Sequence, residues 1–206
     1  MTPRWYFDFI SPYSYLQWRR LRDGLEEHGI EPVPILFAAI LEALGNRGPA
    51  EIPGKREFAY RHILWRARRA HVPLRFPPAH PFNPLAALRL AIAAGNSRAA
   101  IDAVFDWIWA QGNAGDSVEA LAPVLERLQL RPEALAAPEV KAALHANTSA
   151  AVAAGVFGVP TLALGDDLFW GDDAHDFAMA ALQDPELLDD PEMRRLASLP
   201  VGIRRG

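Results

Sequence analysis

The sequence predicts an α/β fold in which a small sheet is interrupted by an all-helical insertion. Three observations carry that expectation. A strand-forming aromatic run near the start leads into a helix and a second strand. The middle of the chain shows only helical periodicity. The last third returns to strand and hairpin signals. The 206 residues suffice for one domain with a sizeable insertion, and half of them are hydrophobic, enough to build a core.

Residues 4–10 are aromatic and β-branched and read as a buried strand. Ser11 and Pro12 follow, a favoured helix N-cap and a favoured first helical residue. A helix is predicted from Pro12 to about His28, with Tyr15, Leu16, Leu21 and Leu25 on its apolar side and Gly29 as its stop. Residues 30–37 read as a second strand. Its two prolines make it an edge strand or one that starts late. The two strands of this β–α–β unit are expected to be parallel, with a right-handed crossover.

Residues 45–54 read as a loop, after which helical patterns dominate. The predicted helices cover 55–71, 84–94, 98–111, 117–128 and 138–154, with a proline-rich break at 73–84 and Gly155 as the last stop. The clearest stripe is Ile101, Val104, Phe105, Ile108 and Trp109, the spacing of a core-facing helix. Val159 to Leu164 then reads as a strand, Gly165 to Asp167 as a hairpin turn and Leu168 to Trp170 as its partner. A final helix starts near Asp173. The order β–α–β, helices, α–β–β–α is that of a thioredoxin-like fold with an all-helical insertion. Residues 1–40 and 140–206 form the thioredoxin-like part and 41–139 the insertion.

Composition narrows the function. The net charge of −4 argues against a dedicated nucleic-acid binder. With no cysteine, the chain has no disulfide, no thiol nucleophile and no cysteine-ligated zinc, and it cannot exchange disulfides. The histidines lack metal-like spacing, and the glycines form neither a dinucleotide fingerprint nor a P-loop, so no metal is expected. The first residues show no apolar signal core, and the longest uncharged stretch, Ala142–Gly165, contains His145, Asn147 and Pro160. A soluble, cytoplasmic protein that binds neither membrane nor nucleic acid is expected.

Three segments can carry chemistry. Ser11 stands where a strand ends and a helix begins, so its hydroxyl either caps the helix or, with the free amides there, donates to an anion. Val159-Pro160 precedes a strand. The bond is trans in most such places, but in a thioredoxin-like sheet this position faces the start of the first helix, and a cis bond would aim the Val159 N–H and C=O outward, where an extended peptide can pair with them as an added strand. In Trp170-Gly171-Asp172-Asp173, one aspartate is accounted for as a helix cap; together the two can hold an ammonium group. Arg61, Arg66, Arg68 and Arg69 read as a solvated or salt-bridged helix face.

Taken together, Phe7 to Leu16 (with Asp8, Ser11, Pro12 and Tyr15), Gly45-Asn46-Arg47-Gly48-Pro49, Phe157-Gly158-Val159-Pro160-Thr161 and Trp170-Gly171-Asp172-Asp173 resemble the glutathione-dependent 2-hydroxychromene-2-carboxylate isomerases. These are relatives of the kappa-class glutathione transferases with a fold like that of disulfide oxidoreductase A. The resemblance runs to about Leu182. It implies glutathione as cofactor, with Ser11 facing its sulfur, Val159 and Pro160 holding its cysteinyl backbone, and Trp170, Gly171, Asp172 and Asp173 at its γ-glutamyl end. It also implies that Gly45, Asn46 and Asn83 contact a small aromatic substrate. A homodimer working in aromatic catabolism, as in naphthalene degradation, completes the expectation.

The implied chemistry is reversible addition of the glutathione thiolate to the conjugated double bond of trans-o-hydroxybenzylidenepyruvate. The adduct rotates, glutathione is eliminated, and the ring closes to 2-hydroxychromene-2-carboxylate. Two departures stand out: His62 lies where some relatives carry a carboxylate, and Ala174 follows the aspartates where an arginine is common. The alternatives are a kappa-like glutathione transferase or peroxidase and, more distantly, a non-catalytic thioredoxin-like peptide-binding module.

Overall fold

The computed structural model describes residues 2–203. Strand β1 (Arg4–Phe7) lies inside the sheet and buries Trp5, Tyr6 and Phe7. Strand β2 (Glu31–Pro34) pairs with it in parallel, from Arg4 opposite Glu31 to Phe7 opposite Pro34. On the other side β3 (Thr161–Leu164) runs antiparallel to β1, and the hairpin partner β4 (Asp167–Trp170) runs antiparallel to β3. The order is β2-β1-β3-β4. The prolines of β2 are tolerated because β2 is an edge, where a missing N–H breaks no ladder. Val159–Pro160 and His80–Pro81 are both cis.

Helix α1 (Pro12–Leu21) starts as predicted, with Ser11 as N-cap, but is shorter than expected. Beyond Leu21 the chain winds into turns through Gly24, a poor helix residue. Helix α2 (Phe37–Ala43) replaces the predicted end of the second strand and the residues after it. No local side chain caps it; the Phe37 N–H donates instead to Asp8 Oδ2 at 2.9 Å, across 29 residues of chain. The helical block follows as α3 (Pro53–Arg69), α4 (Leu85–Ala93) and α5 (Arg98–Phe105), the last continuing as a π-helical turn over Asp106–Ala110. Helix α6 (Ala122–Arg127) is half the predicted length, because the Ser117 hydroxyl accepts the Ala120 N–H and holds residues 117–120 in a turn. Helices α7 (Pro138–Ala153), α8 (His175–Gln183) and α9 (Pro191–Leu196) complete the chain. The segment beyond Asp184 thus carries a short helix, and residues 204–206 lie outside the described ones.

Sheet, α1 and the helical block share one hydrophobic cluster. Its centre is Phe105, whose ring centroid lies 4.6 Å from Phe9, 5.8 Å from Phe7, 5.9 Å from Tyr15 and 6.4 Å from both Trp5 and Trp18. The polar heads of these aromatics are paired, as burial requires. Trp5 Nε1 donates to Gln17 Oε1 (2.6 Å), Trp18 Nε1 to Asp102 Oδ1 (2.7 Å), and the Tyr15 hydroxyl to the Pro73 carbonyl (2.7 Å). Trp109 Nε1, from the helical block, donates to the Phe9 carbonyl at 2.8 Å, two residues before Ser11. The insertion therefore holds the loop that carries the site.

Asp8 closes β1. It is fully buried, and its carboxylate accepts the Ile10 N–H at 3.0 Å and the Phe37 N–H at 2.9 Å. Burial pushes its pKa up from 3.8 to about 7, against the pull of these N–H bonds.

Truncating Phe105 to alanine removes the shared contact, and urea unfolding should show a loss of about 3–5 kcal/mol. Asp8 gives a pH signature. The folded state holds its proton more tightly than the unfolded chain, so its stabilising contribution is complete below pH 3.8 and is lost as pH rises through about 7. In Asp8→Asn this component of the stability–pH profile should vanish. In Asp8→Ala, two orphaned N–H groups should lower stability by about 2–4 kcal/mol.

Candidate functional site

Ser11 stands at the carboxyl end of β1 and opens α1. Its Oγ accepts the Ser14 N–H at 3.1 Å, so the cap reading holds. That bond uses the oxygen as an acceptor and leaves the hydroxyl proton free. Pro12 has no N–H, and the Tyr13 N–H has no hydrogen-bond partner among the described residues. One hydroxyl proton and one free amide therefore converge at the positive end of a ten-residue helix. Capping and anion binding are compatible, because they use opposite sides of the same hydroxyl.

Ser11 lines a cavity of about 170 Å³, mainly apolar, with Tyr13 beside it and Tyr60 and His80 from the helical block. Val159 and Trp170 line it too. The Val159 N–H and C=O make no backbone hydrogen bond among the described residues, so this edge is open to an extended partner. At Gly158 a Cβ would collide with the Trp170 indole as it stands, whose ring also packs edge-on against Phe157 at 5.4 Å.

A second, separate pocket lies between α1 and α3. Along the rest of α1, Leu16 and Arg20 face Trp65, Arg66 and Arg69 of α3 across a space of about 500 Å³, which Asp172 also lines. The capping role expected for one aspartate is not what the structure shows: the N-cap of α8 is Ala174, with no side-chain bond. Asp172 is instead 2% exposed and pairs through Oδ2 with Arg66 Nη2 at 2.6 Å, while its Oδ1 has no partner among the described residues. Burial pushes its carboxyl above the usual range, and the Arg66 and Arg20 charges pull it back in part. Asp173 is exposed. Gly171 adopts φ +99°, and its carbonyl accepts Gln17 Nε2 at 3.2 Å, tying this turn to α1.

The residues matched to aromatic-substrate contact fall elsewhere. Gly45 and Asn46 are exposed after α2, and the lining comes from Gly48, Pro49 and Ala50 just beyond. Asn83 is exposed, and its Oδ1 accepts the Leu85 N–H at the start of α4; His80, three residues earlier, reaches the cavity. His62 faces Tyr13, its Nδ1 3.4 Å from the phenol oxygen. Tyr60, His80 and Arg66 carry no sequence signal that marks them for this site. Tyr60 and Arg66 lie in a run of polar and aromatic helix residues with no local signal of which face meets α1.

The residue pattern is matched by known proteins. The DSBA-like thioredoxin domain family matches residues 4–183. The 2-hydroxychromene-2-carboxylate isomerase of Pseudomonas putida is 32% identical over 183 residues, covering 84% of this chain and 90% of that one. Glutathione S-transferase kappa 2 of Caenorhabditis elegans is 26% identical over 185 residues, covering 79% of this chain and 80% of the other. A solved 2-hydroxychromene-2-carboxylate isomerase structure superposes with a TM-score of 0.77 at 27% identity, over 98% of this chain and all of that one. Matched along this length in sequence and fold, the chain belongs to the 2-hydroxychromene-2-carboxylate isomerase family, within the DSBA-like thioredoxin domains.

Proposed function

We propose that the protein is a glutathione-dependent isomerase that interconverts 2-hydroxychromene-2-carboxylate and trans-o-hydroxybenzylidenepyruvate. The observation that carries this is the unspent Ser11 proton, set beside the free Tyr13 amide and the unpaired Val159 backbone in a chain with no sulfur nucleophile of its own. A thiol has a pKa of about 8.5, and a donated hydrogen bond at a helix start favours the thiolate. Ser11 is thereby a stabiliser of the glutathione sulfur, not an attacking alkoxide.

The two pockets suit a tripeptide with a thiol, an ammonium and two carboxylates. The thiol goes to Ser11, and the cysteinyl backbone pairs with Val159 beside Pro160. The γ-glutamyl end lies toward Trp170, Gly171, Asp172 and Asp173. Asp172 and the exposed Asp173 supply negative charge for the ammonium, and Arg20, Arg66 and Arg69 offer cations to a carboxylate. Arg66 and Arg20 thus place positive charge near Asp172 although Ala174 supplies none. The apolar cavity beside Ser11 receives the aromatic substrate, and reversible thiolate addition lets its double bond rotate. A cytoplasmic location, where glutathione is kept reduced, fits this use. The kappa transferase relative supports a second reading, in which glutathione is consumed by an electrophile. Incubation with the benzylidenepyruvate and with a general electrophile separates the two: glutathione is conserved in one and depleted in the other.

Calorimetry should show reduced glutathione binding at millimolar levels or better, and no binding defeats the reading. Ser11→Ala should retain the fold and raise the thiol pKa of bound glutathione by about one to two units, followed by ultraviolet titration of the thiolate. Asp172→Asn and Asp173→Asn should each weaken glutathione binding, by about tenfold where a charged hydrogen bond is lost. Unaltered affinity in both variants removes the γ-glutamyl assignment.

A further inference from the structure

Tyr60 and His80 line the same apolar cavity as Ser11 and form a hydrogen-bonded pair. The direction of that bond is set by the backbone. His80 Nε2 lies 2.8 Å from the Ile10 carbonyl, which can only accept, so Nε2 carries the ring proton. Burial and the Arg56 charge push the His80 pKa below its usual value, which keeps the ring neutral near pH 7. Its Nδ1 is then a bare acceptor, 2.5 Å from the Tyr60 hydroxyl. The His80 carbonyl, 2.9 Å from the same hydroxyl, accepts from it as well as from Arg56 Nη2 at 2.7 Å, so the Tyr60 proton lies between two His80 acceptors, with the shorter contact at Nδ1. The Tyr60 proton therefore points at His80, and the phenol oxygen keeps its remaining lone pair as an acceptor on a cavity-lining residue. Packing holds both rings: Tyr60 against Phe76 at 4.5 Å and His80 against Trp109 at 5.5 Å.

We infer that Tyr60 and His80 form the proton relay for opening and closing the chromene ring, a step separate from the thiolate chemistry at Ser11. This rests on the isomerase reading above. In closure, the aryl hydroxyl of the substrate gives its proton to Tyr60 Oη as the Tyr60 proton passes to His80 Nδ1. The aryl oxygen forms its bond to the keto carbon, and the carbonyl π pair becomes a lone pair on the former keto oxygen. His80 returns its proton to Tyr60, which protonates that oxygen. One O–H bond breaks and one forms, no net proton is consumed, and opening is the reverse. Tyr60 touches the substrate and His80 acts through it.

Ring opening and closing need no glutathione, which separates this relay from the rest of the reaction. The test follows exchange between the hydroxychromene and its ring-opened cis form by magnetisation transfer, with protein but without glutathione. The full isomerisation is followed in parallel with glutathione present. The native protein should accelerate the exchange. Tyr60→Phe, which keeps the stack on Phe76, should lose that acceleration by about 100-fold or more, the usual range for a positioned acid–base group. Glutathione affinity and the thiol pKa of bound glutathione should stay unchanged in Tyr60→Phe. His80→Gln, which keeps a donor for the Ile10 carbonyl, should show the same loss. Exchange in Tyr60→Phe equal to that of the native protein overturns the relay, as does a native protein that isomerises the substrate but leaves exchange unaccelerated. Accelerated exchange without glutathione-dependent isomerisation supports the relay and defeats the isomerase reading.

Discussion

The site depends on one buried carboxylate. Asp8 ends β1, and its two oxygens receive the Ile10 N–H, which leads into α1, and the Phe37 N–H, which begins α2. A fully buried acid is costly, and its raised pKa shows that the N–H bonds do not fully offset burial. What the bonds secure is position. With both amides anchored on one side chain, the turn that presents Ser11 cannot drift from the segment after β2. The helical block adds a second hold on the same turn, through the Trp109 indole on the Phe9 carbonyl and the His80 ring on the Ile10 carbonyl. Three consecutive residues, Asp8 to Ile10, are thus fixed from three directions. Ser11 inherits that rigidity, which the role proposed for its hydroxyl requires.

Two pockets along α1 differ in character. At the helix start the surroundings are mainly apolar, and the polar groups are few: the Ser11 hydroxyl, the Tyr13 amide, the Val159 backbone and the Tyr60–His80 pair. Along the later turns of α1 a second pocket is charged, with three arginines and a buried aspartate in its lining. Low dielectric strengthens the few directed hydrogen bonds at the reacting end. At the other end, full charges of both signs stand close together. The ion pair of Arg66 and Asp172 also stitches α3 to the turn before α8, so the charged pocket is itself part of the fold.

The strands, the start of α1 and the helical stripe around Phe105 were legible because local patterns carry them. Aromatic runs, a serine before a proline and a 3.6-residue period need no partner to be recognised. Helix α2 was not legible, because its first amide is satisfied by Asp8 from the far side of a crossover. The shortening of α1 and α6 came from side-chain and glycine contacts that compete with the helix. The same divide runs through the site. Ser11, Val159 and the Trp170 to Asp173 segment stood out by their junctions, whereas Tyr60, His80 and Arg66 lie within segments where no spacing marks them.

By itself the sequence determined the order of elements, the absence of any protein thiol and the hydroxyl at the strand–helix junction. Those depend on residue identity and on neighbours within a few positions. Tertiary structure decided which helix face lines the two pockets, that Asp172 is buried against Arg66 and not capping a helix, and that the ring proton of His80 sits on Nε2. Each of these is a choice among partners remote in the chain. It is made by which groups folding buries together, because a polar atom taken from water must find whatever donor or acceptor packing brings to it.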